Sequence, residues 1–279
     1  MIKLLVDSSS DYEIEEITAK GFHFIPITVN MNGRDYVHGI DLQKNDFFEM
    51  LTSSSEFPKT SQPSPQSFLA IFNEAKEKGD EIICILLSSE LSGTLQSAVL
   101  AKSMADYDGI YIIDSLSASY PIKIMADYAY RLIQEGLSAK EIVKKVEALR
   151  PRIKLFAVLD TLEYLSKGGR LSKSVAAIGE MANIKPVITL TEEGKVGILG
   201  KCLGKNKAIT QVLKHLKEWE YDSSFPFYTI YSYGLNNCEH FEEKLRENGY
   251  PISERLQIGA TIGAHIGPEA FGVVIVAKE

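Results

Sequence analysis

The residues of this chain whose types and spacing could do chemistry gather where apolar runs stop. Ser88-Ser89-Glu90-Leu91-Ser92-Gly93-Thr94 follows the β-branched run Glu81-Ile82-Ile83-Cys84-Ile85-Leu86-Leu87 and leads into a helical pattern from about Thr94 to Met104. The free amides and positive dipole end of a helix's first turn, with hydroxyls beside them, suit a carboxylate or a phosphate. Ser and Thr also cap helices with no ligand at all, so the stretch by itself leaves both readings open. Two further junctions repeat the pattern: Asp7-Ser8-Ser9-Ser10-Asp11 after Ile2 to Val6, and Asp114-Ser115-Leu116-Ser117-Ala118-Ser119 after Gly109 to Ile113. A hydroxyl-rich loop, Thr60-Ser61-Gln62-Pro63, runs into Ser64-Pro65, an N-cap with proline at the first helical position, which opens a helix from about Gln66 to Lys78. His265 lies in the glycine-rich segment from Gly259 to Pro268, where backbone can approach another group closely.

Other chemistries lack their residues. Neither Gly200-Lys201-Cys202 nor Gly204-Lys205-Asn206 completes a Walker phosphate loop, and the dinucleotide G-x-G-x-x-G pattern is absent. Ser92 has Glu90 two residues before it and Thr94 two after, so it is not a nucleophile elbow. His23, His38, His215 and His240 show no metal-binding pairing with one another or with His265, and they read as surface or core filler. A net charge of −7 argues against nucleic acid as a partner. Cys84, Cys202 and Cys238 are too widely spaced for a disulfide framework, which suggests a reducing compartment. The first residues lack a signal-peptide core, and no apolar run approaches the roughly 18 residues that span a bilayer. A cytoplasmic protein is the expectation.

The elements that must position these residues alternate. Strands at Ile2 to Val6, Glu81 to Leu87 and Gly109 to Asp114, separated by helices, predict a mainly parallel sheet covered on both faces, with ligands beyond its strand C-terminal ends. Asp7, Ser88, Ser92, Asp114 and Ser117 should then share one edge. Phe22 to Val29 reads as a single strand, Asn32-Gly33 as a hairpin turn, and Asp41 as the cap of a helix near Lys44. Pro151 breaks a helix that begins near Ser138, which places a domain boundary between Arg150 and Thr161. Beyond it the glycine loop Lys167-Gly168-Gly169-Arg170-Leu171-Ser172 leads to a helix through Met181. A hairpin, two helices and the closing strand Gly272 to Ala277 complete a smaller α/β domain with a mixed sheet.

Taken together, the Asp7-Ser8-Ser9-Ser10-Asp11, Thr60-Ser61-Gln62-Pro63, Leu91-Ser92-Gly93-Thr94 and Gly168-Gly169-Arg170 motifs, with His265 before Gly267-Pro268, resemble the DegV family in order and spacing over essentially the whole chain. The resemblance implies a two-domain fold, with residues 1–155 as an N-terminal three-layer α/β/α domain carrying the carboxyl-binding loops. Residues 156–279 would form a two-layer α/β domain closing over an acyl chain. It implies a buried long-chain fatty acid as ligand, with no cofactor and no metal, its carboxyl held by Thr60 and Ser92. His265 belongs to the same head-group network and is suited to carry a proton, while Arg170 at the pocket mouth contacts a partner. That partner is a separate ATP-dependent fatty acid kinase that makes the acyl phosphate, so this chain itself would be non-catalytic, with the membrane as a further, transient contact.

The sequence departs from the family where Leu203 stands for an arginine associated with kinase docking, where Glu269 replaces a glycine, and where Tyr120-Pro121 replaces a glycine-bearing helix start. A lipid-binding protein without a kinase, in transport or sensing, is therefore the second reading. An independent hydrolase or small-molecule kinase is the third.

Overall fold

The structure, a computed structural model, describes residues 1–171 and 183–279; the helix expected through Met181 lies outside them. The first domain contains β1 (Ile2–Asp7), α1 (Ile14–Lys20), β2 (His23–Ile25), β3 (Thr28–Met31), β4 (Arg34–Val37), α2 (Lys44–Ser53), β5 (Lys59–Ser61), α3 (Pro65–Lys78), β6 (Glu81–Leu86), α4 (Thr94–Ala105), β7 (Ile110–Asp114), α5 (Tyr120–Gln134) and α6 (Ala139–Leu149). A parallel sheet in the order β2-β1-β6-β7 forms its centre. Side chains alternate across each strand. Leu4, Val6, Ile83 and Ile85 therefore pack on Ile122, Met125 and Ile142 of α5 and α6. Leu5, Cys84 and Leu86 pack on Phe68, Phe72, Ala98 and Ala101 of α3 and α4. Burial on both faces is why β1 and β6 read as continuous apolar runs.

The single strand expected over Phe22 to Val29 is two. β2 ends in the parallel sheet, and β3 starts a separate antiparallel sheet of order β4-β3-β5. Pro26 between them has no amide for a ladder, and the next amide, that of Ile27, donates to Ser8 Oγ at 2.9 Å. Asp41 does not cap α2 either. Its carboxylate accepts the Val37 amide at 2.5 Å and closes the turn after β4, while Gln43 occupies the cap position.

The second domain contains β8 (Ile153–Val158), α7 (Glu163–Lys167), β9 (Ile184–Leu190), β10 (Val196–Leu203), α8 (Lys205–Leu216), β11 (Tyr228–Tyr231), α9 (Asn236–Glu247), β12 (Glu254–Gln257), α10 (Ala260–Ile266) and β13 (Phe271–Val276). Its mixed sheet runs β10-β9-β8-β13-β11-β12, antiparallel except for the β11–β12 pair. One face, with Phe156, Val158, Val273 and Ile275, packs on Ile209 and Val212 of α8 and Phe241 of α9. The opposite face, with Ala157, Ile188, Ile230 and Val274, turns toward Tyr120 and Ile124 of α5.

The glycine-rich segment is where the chain crosses back. Ala260 and Ala264 of α10 pack among Val29, Met31, Phe47 and Phe48 of the first domain. A Cβ at Gly263 would run into the Phe47 and Phe48 rings, so glycine there sets how closely the helix approaches α2.

Candidate ligand-binding site

An apolar cavity lies between the domains and holds about 850 Å³ including its open mouth. Ile27, Leu87 and Leu91 line it from the first domain; Leu155, Leu159, Ile188 and Ile230 line it from the mixed sheet. Thr60, Ser92, Arg170 and His265, each singled out in the sequence, all reach this one cavity.

Each comes from a different element. Thr60 is on β5, which extends the small antiparallel sheet by pairing with Val29, where the sequence alone suggests a loop. Ser92 immediately precedes the first turn of α4. Its Oγ lies 2.9 Å from Thr94 Oγ1 and accepts the Thr94 amide at 3.3 Å, so it closes the helix start and faces the cavity at once. Arg170 follows α7; its Nε donates to the Leu91 carbonyl at 3.0 Å and its Nη1 to the Gly168 carbonyl at 2.5 Å. No acidic side chain among the described residues lies within ion-pair distance of it, and burial lowers its pKa. His265, in the last turn of α10, places Nε2 2.8 Å from Thr60 Oγ1.

His265 Nδ1 is buried with no hydrogen-bond partner, alone among the described side-chain polar atoms. Burial, helped by the nearby Arg170 charge, pushes the imidazole pKa down to about 4, so the ring is neutral near pH 7 rather than carrying the proton considered from sequence. A neutral imidazole has one N–H and one acceptor nitrogen. If Nε2–H donates to Thr60, the threonine proton is uncommitted; if Thr60 donates to Nε2, the buried Nδ1–H is uncommitted. Either tautomer leaves the pair one free donor. With the Ser92 hydroxyl and the Arg170 charge, this end of the cavity suits a carboxylate or another small oxyanion.

The other candidates on the strand edge have structural work. Asp7 is buried and accepts the Leu87 amide at 2.7 Å and the Ser9 amide at 2.8 Å. Asp114 accepts the amides of Leu116 and Ser89. Ser88 donates to the Gly194 carbonyl across the domain boundary at 2.8 Å. Sequence reasoning missed the set that holds α10. Asp11 accepts the Gly259 amide at 3.0 Å and the Ser119 hydroxyl at 2.5 Å, while His38 Nδ1 lies 2.7 Å from Thr261 Oγ1. The one local signal was Asp11 itself, placed after three serines at the end of β1. Of the departures noted above, Leu203 is exposed and Glu269 accepts from Asn237 at 2.6 Å; neither lines the cavity. The Tyr120 hydroxyl donates to the Gln257 carbonyl at 2.6 Å and ties the domains together. No group of His, Cys, Asp and Glu among the described residues could hold a metal ion, and no helix among them is long and apolar enough to cross a membrane.

Fold and cavity together define a two-domain α/β protein with an apolar interdomain pocket that is polar at one end. Residues 1–278 match the DegV family, described as uncharacterised proteins, and the chain belongs to that family. It is 34% identical over 285 residues to a DegV domain-containing protein of Caldanaerobacter subterraneus, covering 99% of each. The solved structure of a DegV family protein from Thermus thermophilus, described by its fatty acid binding, superposes with a TM-score of 0.88 at 30% identity and covers 99% of both chains. A stearic acid-binding protein from Eubacterium ventriosum superposes at 0.87 with 27% identity, covering 100% of this chain and 99% of that one.

Proposed function

We propose that this chain binds a long-chain fatty acid, with the acyl chain in the interdomain cavity and the carboxylate held by Thr60 and Ser92 within a network that includes His265. In this reading the first domain, ending before β8, carries the carboxyl-binding loops, and the second domain, with the whole of β8 in its sheet, closes over the chain. The observation that carries it is the polarity of the cavity: leucine and isoleucine along its length, and at one end two hydroxyls, an imidazole with an unpartnered nitrogen and an arginine. The two related structures described as binding fatty acid and stearic acid support it.

Energetics divide the work between tail and head. Burying about 15 methylenes at roughly 0.8 kcal/mol each gives a gross term near 12 kcal/mol, against about 1.5–3 kcal/mol for each hydrogen bond to a charged group. The tail supplies most of the affinity. The head contacts set orientation and keep a carboxylate from being buried unpaired.

No group at the site has to break or form a bond, so the protein acts as a carrier. Presentation of the fatty acid to a separate ATP-dependent kinase, which would supply the phosphoryl donor and metal, fits a carboxylate kept near the protein surface, with Arg170 beside the partner. Leu203, exposed where an arginine was expected, favours the second reading of a carrier or sensor with no kinase. Native mass spectrometry of the protein purified from bacterial cells should reveal one co-purified fatty acid. A purified kinase subunit with ATP should then yield acyl phosphate if the first reading holds and nothing if the second does. Protein that neither retains nor takes up any fatty acid would overturn both.

A further inference from the structure

A second cavity lies between the domains, and it shares a wall with the first. It holds about 890 Å³ including its open side, and is bounded by the segment after β7, the end of α6 and the near ends of β8 and β9. Leu155 and Leu190 line both cavities. The segment after β7 completes the partition, with Ala118 and Ser119 on the first cavity and Leu116 and Ser117 on the second. Although they sit between two domains, Leu155 and Leu190 are only partly buried, as side chains with open space on two sides must be.

At Leu155 this wall lies toward the start of β8, away from the polar cluster, while Leu190 completes it from β9 and packs with Ile27, Leu87 and Ala118. The chain leaves the far end of β8 at Leu159, enters α7 and reaches Arg170, whose amide returns to the Leu165 carbonyl at 2.9 Å. Leu155 is four residues back from Leu159 along the same strand line, about 13 Å at the strand rise. Beyond it the second cavity offers Leu116, Pro121, Met125 and Ile153 among polar side chains that include Ser117, Glu147, Arg150, Lys154 and Thr189. A hydrocarbon chain passing the wall would have those four apolar side chains to lie against.

We infer that Leu155 and Leu190 are the end wall of the acyl site and set the longest chain it accepts, with the second cavity as space a longer chain would enter if the wall were cut back. The inference rests on the fatty acid reading above and adds to it the residues that select ligand length.

Delipidated wild-type protein and the variants Leu155→Ala, Leu190→Ala and Leu155→Phe would each be equilibrated with an equimolar mixture of saturated fatty acids of fourteen to twenty-two carbons, and the bound species read by native mass spectrometry. Each alanine variant should shift the distribution toward longer chains, by about fourfold in relative occupancy for each methylene newly accommodated. Leu155→Phe should shift it toward shorter ones. Alanine variants with unchanged thermal unfolding and the wild-type distribution would overturn the inference while leaving the function intact. If neither alanine variant folds, Leu155→Phe still decides it, by shifting toward shorter chains or by keeping the wild-type distribution. Wild-type protein that binds none of the acids would overturn the fatty acid reading, and the wall with it.

Discussion

Thr60 Oγ1 and His265 Nε2 lie 2.8 Å apart although 205 positions separate them in the chain. The contact joins β5 of the small antiparallel sheet to the end of α10, so it reports whether the two domains are closed around the cavity. Removing either head hydroxyl should show in binding. Thr60→Ala and Ser92→Ala are each expected to weaken fatty acid affinity by about tenfold or more, the equivalent of one net hydrogen bond to a carboxylate. Displacement of a fluorescent fatty acid measures it, and wild-type affinity in both variants would remove these residues from the carboxyl site.

The titration of His265 is a second handle. In the ligand-free protein its pKa is pushed down to about 4, first by burial and then by Arg170. The unfolded chain takes up this proton near the ordinary value of 6.5, so the group costs stability as pH falls from about 6.5 through about 4. A carboxylate beside the ring favours its charged form. Ligand binding should therefore raise the His265 pKa and take up protons on the acid side of neutral. NMR titration of the imidazole with and without fatty acid checks both points; a pKa unmoved by ligand would separate His265 from the head-group network.

Gly168 has its physical reason in the same ring. A Cβ there would collide with His265 Nδ1 and crowd the Tyr164 carbonyl. The first glycine of the Gly-Gly-Arg loop thus leaves room for the Nδ1–Cε1 edge of the imidazole beside the backbone. Gly168→Ala is expected to cost about 1–3 kcal/mol of stability through overpacking and to move the ring off Thr60, lowering fatty acid affinity along with it. Urea unfolding and ligand displacement on one variant test the pair of effects. Full affinity with lowered stability would mean that the ring position is irrelevant to binding.

The parts of this molecule legible in its sequence are those that local physics specifies. β1 and β6 could be read because strands buried on both faces are apolar throughout, β7 because Ile110-Tyr111-Ile112-Ile113 is a β-branched and aromatic run, and α3 because Ser64-Pro65 opens it and Gly79 closes it. The break at Pro26 was hidden inside an apolar run, and β5 is a three-residue polar edge with no periodicity to read. α10 was missed altogether. With glycines before, within and after it, that helix has poor intrinsic propensity and is held by tertiary contacts, from Asp11 on the Gly259 amide to Phe47 and Phe48 against Gly263. The candidate site depends on the same kind of contact. Ser92 by itself was as good a helix cap as a ligand residue, and nothing local to Thr60 points to a histidine 205 positions away; only the family resemblance linked them.

The contacts that hold α10 should also give the protein a pH signature of its own. His38 is 3% exposed, and burial, with Lys44 nearby, pushes its pKa down to about 3. Asp11, 2% exposed, is pushed up to about 6 by burial despite the opposing Lys44 charge. Their signs are opposite. His38 is neutral in the folded state while the unfolded chain protonates it, so its contribution falls as pH drops below 6.5. Asp11 holds its proton longer in the folded state, so its contribution is present below the ordinary 3.8 and is lost as pH rises from there through about 6. In the wild type the two slopes offset each other between those limits. His38→Gln keeps a polar partner for Thr261 and removes one of the slopes. Relative to that variant, the wild type should lose about 1.4 kcal/mol for each pH unit below 6.5. Urea unfolding of both proteins from pH 7 to pH 4.5 measures the difference, and parallel pH profiles would show that His38 is not held neutral in the folded protein.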